Sequence, residues 1–205
     1  MGVQFWNATD TCCNSYHQGV NDVQYLTDLI KKVVLDYQLD SNRIYLIGHS
    51  AGGYMENRLA CEHGEMFAGF ASFAGGGYLD EKMCLHPVPN SYLQIHAVND
   101  ASVAFDSDLK HLDYAGGKQV IGQWINRNHC IEGLHPTQRL DLIKAIDSDD
   151  TQEFRASNCA GHRDVVLWAI DAHNSALYVP HVPALKNETA SKILDFLFSH
   201  VRTQD

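Results

Sequence analysis

The segment Arg43-Ile44-Tyr45-Leu46-Ile47-Gly48-His49-Ser50-Ala51-Gly52-Gly53 constrains the fold of this chain more than any other. A short apolar run ends in Gly-x-Ser-x-Gly, and a helical pattern begins at once. That is the strand–turn–helix setting in which the motif forms a nucleophile elbow. Gly48 and Gly52 carry no Cβ, so the chain can turn sharply and the helix can lie close to the strand. Ser50 is then expected at the tip of the turn, at a helix N-terminus. The backbone N–H of Ala51 is placed to meet a developing oxyanion. A bare five-residue match also occurs by chance as a structural turn; the context on both sides favours the elbow.

The rest of the chain reads as alternating helices and strands. Asn21 is an expected N-cap, followed by Val23, Leu26, Leu29, Ile30, Val33, Val34 and Tyr37 at helical spacing. Residues 43–48 are apolar without alternation, as in a buried parallel strand. A helix over 51–62, a strand over 67–74, a loop over 80–90 and a strand over 91–98 follow. Then come a helix over 118–128, an unassigned polar stretch over 130–150, a short strand over 153–156, a strand over 164–170 and a terminal helix over 187–201. This order predicts a single α/β domain over 1–205, a mostly parallel sheet flanked by helices. No internal repeat, P-loop or dinucleotide-binding glycine motif is present in the sequence.

Composition narrows the function. A net charge of −10 and a pI near 5.5 argue against nucleic acid or an anionic membrane as partner, since phosphate binding needs basic patches. No apolar stretch approaches the ~20 residues that span a bilayer. Met1 leads directly into polar sequence, so no signal peptide is expected at this start. Six cysteines, at 12, 13, 61, 84, 130 and 159, include no Cys-x-x-Cys pair, which argues against a zinc ribbon or a thioredoxin-type site. Either they are reduced core residues or they form three disulfides; disulfides are the favoured reading, and they imply an oxidising compartment.

An activated serine needs a base, and the base needs an orienting carboxylate. In open α/β sheets these groups lie past the carboxyl ends of the strands. Asp100 follows the strand ending at Val98, with Asp106 as the fallback. His173 lies three residues past the strand ending at Ile170 and is the expected base; His181, in the same loop between Pro180 and Pro183, is the alternative. His96 falls inside a strand and is expected to be packed. Trp6, His49 and Tyr78 are the candidates for substrate binding. No metal or organic cofactor is implied.

With these residues in view, the chain resembles the esterases grouped with poly(3-hydroxybutyrate) depolymerase-like enzymes, feruloyl esterases and acetyl xylan esterases (carbohydrate esterase family 1). The matching text is Trp6-Asn7-Ala8, Cys12-Cys13, Asn21-Asp22-Val23 with Leu26, Asp40 to Ala60 with Cys61, and His96 to Asp100. Trp124, Asn128, Cys130, and Asn158-Cys159 leading into Val165-Val166-Leu167 complete it. The resemblance implies an α/β-hydrolase fold, Ser50 as nucleophile, Asp100 as acid, His173 as base and one oxyanion N–H from Ala51. It also implies secretion, disulfides, and ester substrates from plant cell wall or polyester. Two departures stand out. Ile170-Asp171-Ala172-His173-Asn174-Ser175 lacks the Gly-rich turn and Trp-Pro that usually flank the family's histidine. The family's first strands and oxyanion loop are not matched, so the chain reads as N-terminally truncated relative to the family. The strand at 43–47 then becomes an edge, and a homodimer across it is expected. The competing expectation is a catalytically impaired hydrolase-like binding domain, or a fragment needing a partner chain. For the disulfides, Cys130–Cys159 is expected, with Cys12 and Cys13 reaching Cys61 and Cys84.

Overall fold

The computed structural model describes residues 5–14, 16–108, 112–146, 149–171, 181 and 183–202. Its first helix, α1 (Asp22–Tyr37), starts where the sequence puts it: the Asn21 side chain accepts the Gln24 N–H as an N-cap. Strand β1 (Tyr45–His49) runs into helix α2 (Ala51–His63) with Ser50 between them. Strands β2 (Gly69–Phe73), β3 (Gly77–Tyr78), β4 (Ser91–Ala97) and β5 (Tyr114–Ala115) precede helix α3 (Gly117–Arg127). Strands β6 (Glu132–Leu140), β7 (Thr151–Ser157) and β8 (Val165–Ile170), then helix α4 (Asn187–Phe198), complete the chain.

One mixed six-stranded sheet runs in the order β1-β2-β4-β8-β7-β6. The first four strands are mutually parallel, and β7 and β6 add in antiparallel sense. The expectation of a mostly parallel sheet therefore holds at its centre. The stretch at 130–150 that resisted assignment contains β6, an edge strand. Pro136 within it removes a ladder donor, which only an edge tolerates. The short strand expected at 153–156 is longer, because β8 supplies a full-length partner for β7.

Alternation along β4 builds both faces of the sheet. Leu93, Ile95 and Ala97 pack with Val166, Trp168, Phe196 and Leu197 against α4. Tyr92 points the other way and stacks on Trp124 of α3, their ring centroids 4.5 Å apart and nearly coplanar. The residues that follow Tyr92 on that face are Gln94 and His96, both fully buried.

Two expectations change at the other end of the sheet. The apolar run in β1 reads as a buried strand, whereas the resemblance makes it an edge; β1 is the sheet's terminal strand among the described residues, and Ile47 is 59% exposed. The apolar stripe of α1 is buried only at its start. Val23 is buried and Leu26 is half-buried, whereas Leu29, Val33 and Tyr37 face solvent. Midway along the helix Ile30 is half-buried against the core.

The three expected disulfides are present with a different pairing for two of them. Cys130–Cys159 forms as expected. Cys61 bonds Cys84, and Cys12 bonds its neighbour Cys13. Cys61 at the end of α2 meets Cys84 because the turn before β4 folds back on that helix, where His86 N–H donates to Cys61 O. The Cys61–Cys84 bridge spans 23 residues of chain, and closing such a loop in the unfolded state contributes about 3 kcal/mol. A Cys61→Ser, Cys84→Ser double variant is expected to lose roughly that much stability in urea unfolding while keeping the native circular dichroism spectrum.

Candidate active site

Ser50 sits at the tip of the β1–α2 turn with φ 53° and ψ −119°, a conformation that L-residues rarely adopt. Its strain is held in place from several sides. The Ser50 N–H donates to Phe73 O on β2, and its carbonyl accepts from Gly53 and Tyr54 N–H in the first turn of α2. A Cβ on Gly48 would lie 2.4 Å from Gly52 O, so the turn closes only over glycine at that position. A Cβ on Gly53 would meet the Cα of Gly75 at 2.6 Å. The close approach of helix to strand end therefore comes from Gly48 and Gly53, whereas a Cβ on Gly52 would meet open space. Ala51 is the first residue of α2, and its N–H has no acceptor within the helix.

Asp100 lies in the turn after β4, 2% exposed. Its Oδ1 accepts the N–H groups of Ser102 and Val103 at 2.8 and 3.1 Å. Its Oδ2 lies 2.7 Å from Nδ1 of His181. The other nitrogen of that ring, Nε2, is buried and has no hydrogen-bond partner among the described residues. A histidine with Nδ1–H on a buried carboxylate keeps its Nε2 lone pair for a proton from a nucleophile, which is how a general base is oriented. Asp106, the fallback acid, is taken up by Lys118 and Gln119 of α3 instead.

The structure thus brings Asp100 to His181, eighty-one residues away in sequence. His173, the expected base, lies outside the described residues, and the histidine seated on the acid is the alternative from the same loop. The sequence offered one signal for it, the flanking Pro180 and Pro183, which limit the conformations of the segment. No periodicity distinguishes two histidines of one loop.

The expected binding residues divide. His49 stands beside His181 with ring centroids 5.2 Å apart, and its Nε2 lies 3.4 Å from His181 O. His49 and Trp6 share a cleft of about 220 Å³ with Leu46, Ile47, Gly48 and Gly52, on the open side of the elbow. Tyr78 lines a separate cleft with Asp10, Asp80 and Asp113, and its hydroxyl donates to Ala8 O at 3.4 Å.

Beneath the elbow lies a carboxyl that sequence reasoning passed over. Glu56 of α2 is 3% exposed, and neither oxygen has a hydrogen-bond partner of ordinary geometry. Burial pushes its carboxyl well above the usual range, and the nearby Gly48 backbone and Ser72 hydroxyl offset this only in part.

Comparison with known proteins agrees with this reading of the fold. Residues 12–85 match the prolyl oligopeptidase family. The chain is 26% identical over 136 residues to feruloyl esterase B of Piromyces equi, a match covering 62% of this chain and 24% of that protein. It is 25% identical over 129 residues to poly(3-hydroxyalkanoate) depolymerase C of Paucimonas lemoignei, covering 59% of this chain and 30% of that one. The structure aligns with that of an acetyl xylan esterase from Aspergillus awamori at a TM-score of 0.56 and 11% identity, over 87% of this chain and 67% of the other. The fold is that of the α/β-hydrolases. The chain spans about a quarter of the length of the first of these relatives.

Glu56 yields a prediction in pH. A carboxyl whose pKa is raised on folding binds more protons in the native state, so it costs nothing below the ordinary carboxylate range. The cost grows as pH rises above that range, until the buried group itself ionises. Glu56→Gln is therefore expected to melt several degrees above the parent at pH 8 and close to it at pH 4, by differential scanning calorimetry.

Proposed function

From an α/β-hydrolase fold related in sequence to feruloyl and acetyl xylan esterases, we propose that this chain is a serine hydrolase of carboxylic esters. The observation that carries the proposal is the 2.7 Å contact between buried Asp100 and His181, whose other ring nitrogen is unpartnered among the described residues. It stands at the end of the sheet where the strained Ser50 turn presents a hydroxyl. In this reading His181 takes the Ser50 proton as Oγ attacks the ester carbonyl. Ala51 N–H, at the start of α2, stabilises the oxyanion. The collapsing intermediate expels the alcohol, which receives the proton from His181, and an acyl-enzyme remains. Water, deprotonated by His181, then releases the acid and restores Ser50. Asp100 keeps the imidazole in the Nδ1–H tautomer throughout.

The substrates proposed are feruloyl or acetyl esters of plant cell-wall polysaccharide, or polyhydroxyalkanoate-type polyesters. Supporting them are the named relatives and the cleft of Trp6 and His49 beside the elbow. Three disulfides in the chain support a secreted, extracellular setting. Among the described residues no helix is long and apolar enough to cross a membrane.

The test is a p-nitrophenyl acetate burst followed in the parent protein and in three variants. Ser50→Ala and His181→Ala are expected to lower the acylation rate by roughly 10³-fold or more. His173→Ala is expected to leave it within about threefold. A burst that His173→Ala abolishes and His181→Ala spares would return the base to His173. No burst in any chain would leave a hydrolase-like binding domain, or a piece that needs a partner.

The edge of β1 supports self-association as part of the same reading. Ala68 N–H bonds Ile44 O and Ser50 N–H bonds Phe73 O, so the even-numbered residues direct their backbone groups toward β2. Tyr45, Ile47 and His49 then direct theirs outward, and a second copy of β1 is self-complementary to that edge. Sedimentation velocity at micromolar concentration is expected to give a dimer, and Ile47→Pro a monomer. A parent protein that sediments as a monomer rules the dimer out.

A further inference from the structure

Strand β4 buries three polar side chains in a row on the face toward α2 and α3: Tyr92, Gln94 and His96, each 0% exposed. Apolar residues at alternate positions would satisfy that face without the cost of burying polar atoms. These three are fully bonded instead, and the bonds run in one sense. Trp124 Nε1 donates to Asn57 Oδ1, and Asn57 Nδ2 donates to the Tyr92 hydroxyl, both at 3.3 Å. Tyr92 donates to Gln94 Oε1 at 2.6 Å. Gln94 Nε2 donates to His96 Nδ1 at 3.0 Å.

The direction is fixed by backbone carbonyls, which can only accept. Asn57 Nδ2 also reaches Gly53 O and Gly76 O at 3.1 Å each, and Gln94 Nε2 reaches Gly75 O at 3.1 Å. Both amides therefore have one orientation. It follows that His96 Nδ1 carries no proton. Nε2 carries it, and donates to Val103 O at 2.9 Å. The N–H of the same Val103 donates to Asp100 Oδ1, and His96 Nε2 itself stands 3.8 Å from Asp100 Oδ2. The ring is closely packed. A Cβ on Gly117, at the start of α3, would lie 2.4 Å from its Nδ1, and Phe105 closes in edge-on at 5.7 Å.

We infer that the Tyr92–Gln94–His96 file is a positioning device for the general base. It holds His96 as the Nε2–H tautomer, which pins Val103 and so sets the Asp100 carboxylate in the orientation that meets His181. The inference rests on the Ser50, His181 and Asp100 chemistry proposed above. Burial keeps the imidazole neutral, lowering its pKa against the opposing pull of Asp100, while His181 adds to the lowering. Those two are the titratable groups facing His96; His49 in turn faces His181. A charged His96 would compete with His181 for the carboxylate, whereas a neutral one with its N–H on Val103 supports the carboxylate without taking its proton.

Turnover of p-nitrophenyl acetate by His96→Gln and His96→Asn, with long-range ¹H–¹⁵N spectra of the imidazoles, tests this. The Gln amide nitrogen reaches where Nε2 stands, so His96→Gln is expected to keep kcat within about threefold. The Asn amide falls short of Val103, and kcat is expected to drop roughly 10- to 100-fold with KM unchanged, as for a catalytic group displaced by an ångström. In the parent protein His96 is expected to be a single neutral Nε2–H species at about pH 7.5 to 8, since burial has lowered its pKa further from that range. A His96 that is protonated on Nδ1 in the parent overturns the inference, whether or not His96→Asn folds. So does a folded His96→Asn protein that turns over like the parent while Ser50→Ala is inactive; that result leaves the esterase reading standing. A parent protein without a Ser50-dependent burst removes the esterase reading, and the inference with it.

Discussion

The close approach of backbone to backbone around Gly48 and Gly53 is the constraint on which the rest of the site depends. No side chain fits between Gly48 and Gly52 O, nor between Gly53 and Gly75. With both gaps closed, the N-terminus of α2 is brought up against the ends of β1 and β2. Ser50 then has no choice but the left-handed conformation that lifts its hydroxyl out of the sheet. The strain is borne by packing on every side: Phe73 O holds the Ser50 N–H, and the Gly75-Gly76 turn is tied to α2 by Asn57.

The same Asn57 begins the polar file through Tyr92, Gln94 and His96 that ends beside Asp100. The Ser50 turn and the Asp100 turn are thus two ends of one buried network rather than two independent loops on a sheet. Neutral groups at every step make this possible, since none demands a counter-charge inside the core. Burial raises the hydroxyl pKa of Tyr54 and Tyr92 and lowers that of the His96 imidazole, so each stays uncharged. Glu56 belongs to the same logic, as a carboxyl that folding holds neutral under the elbow.

The opposite margin of the molecule is built to a looser standard. Strand β1 offers free backbone groups at Tyr45, Ile47 and His49, and the second half of α1 leaves Leu29, Val33 and Tyr37 in solvent. Ile47 and His49 of that strand also line the cleft that holds Trp6.

Local chemistry was enough for much of this. The elbow, the Asn21 cap, the run of helices and parallel strands and the place of Asp100 were all legible, because each follows from contacts within a few residues or from a period of 2 or 3.6. Gly53 rather than Gly52 as the close-contact glycine, the Cys61–Cys84 bridge and the long β6–β7 pair were not legible. Each depends on what stands opposite, which a single strand or helix does not encode. The base shows this most sharply. His173 and His181 share one loop and one residue type, and sequence spacing favours the former. The proposal of His181 rests on a carboxylate eighty-one residues away in sequence, which the fold sets 2.7 Å from its Nδ1. The sequence by itself determined which chemical groups the chain carries to the end of its sheet; the tertiary structure decided which of them meet, because meeting is a matter of distance across the fold and not of distance along the chain.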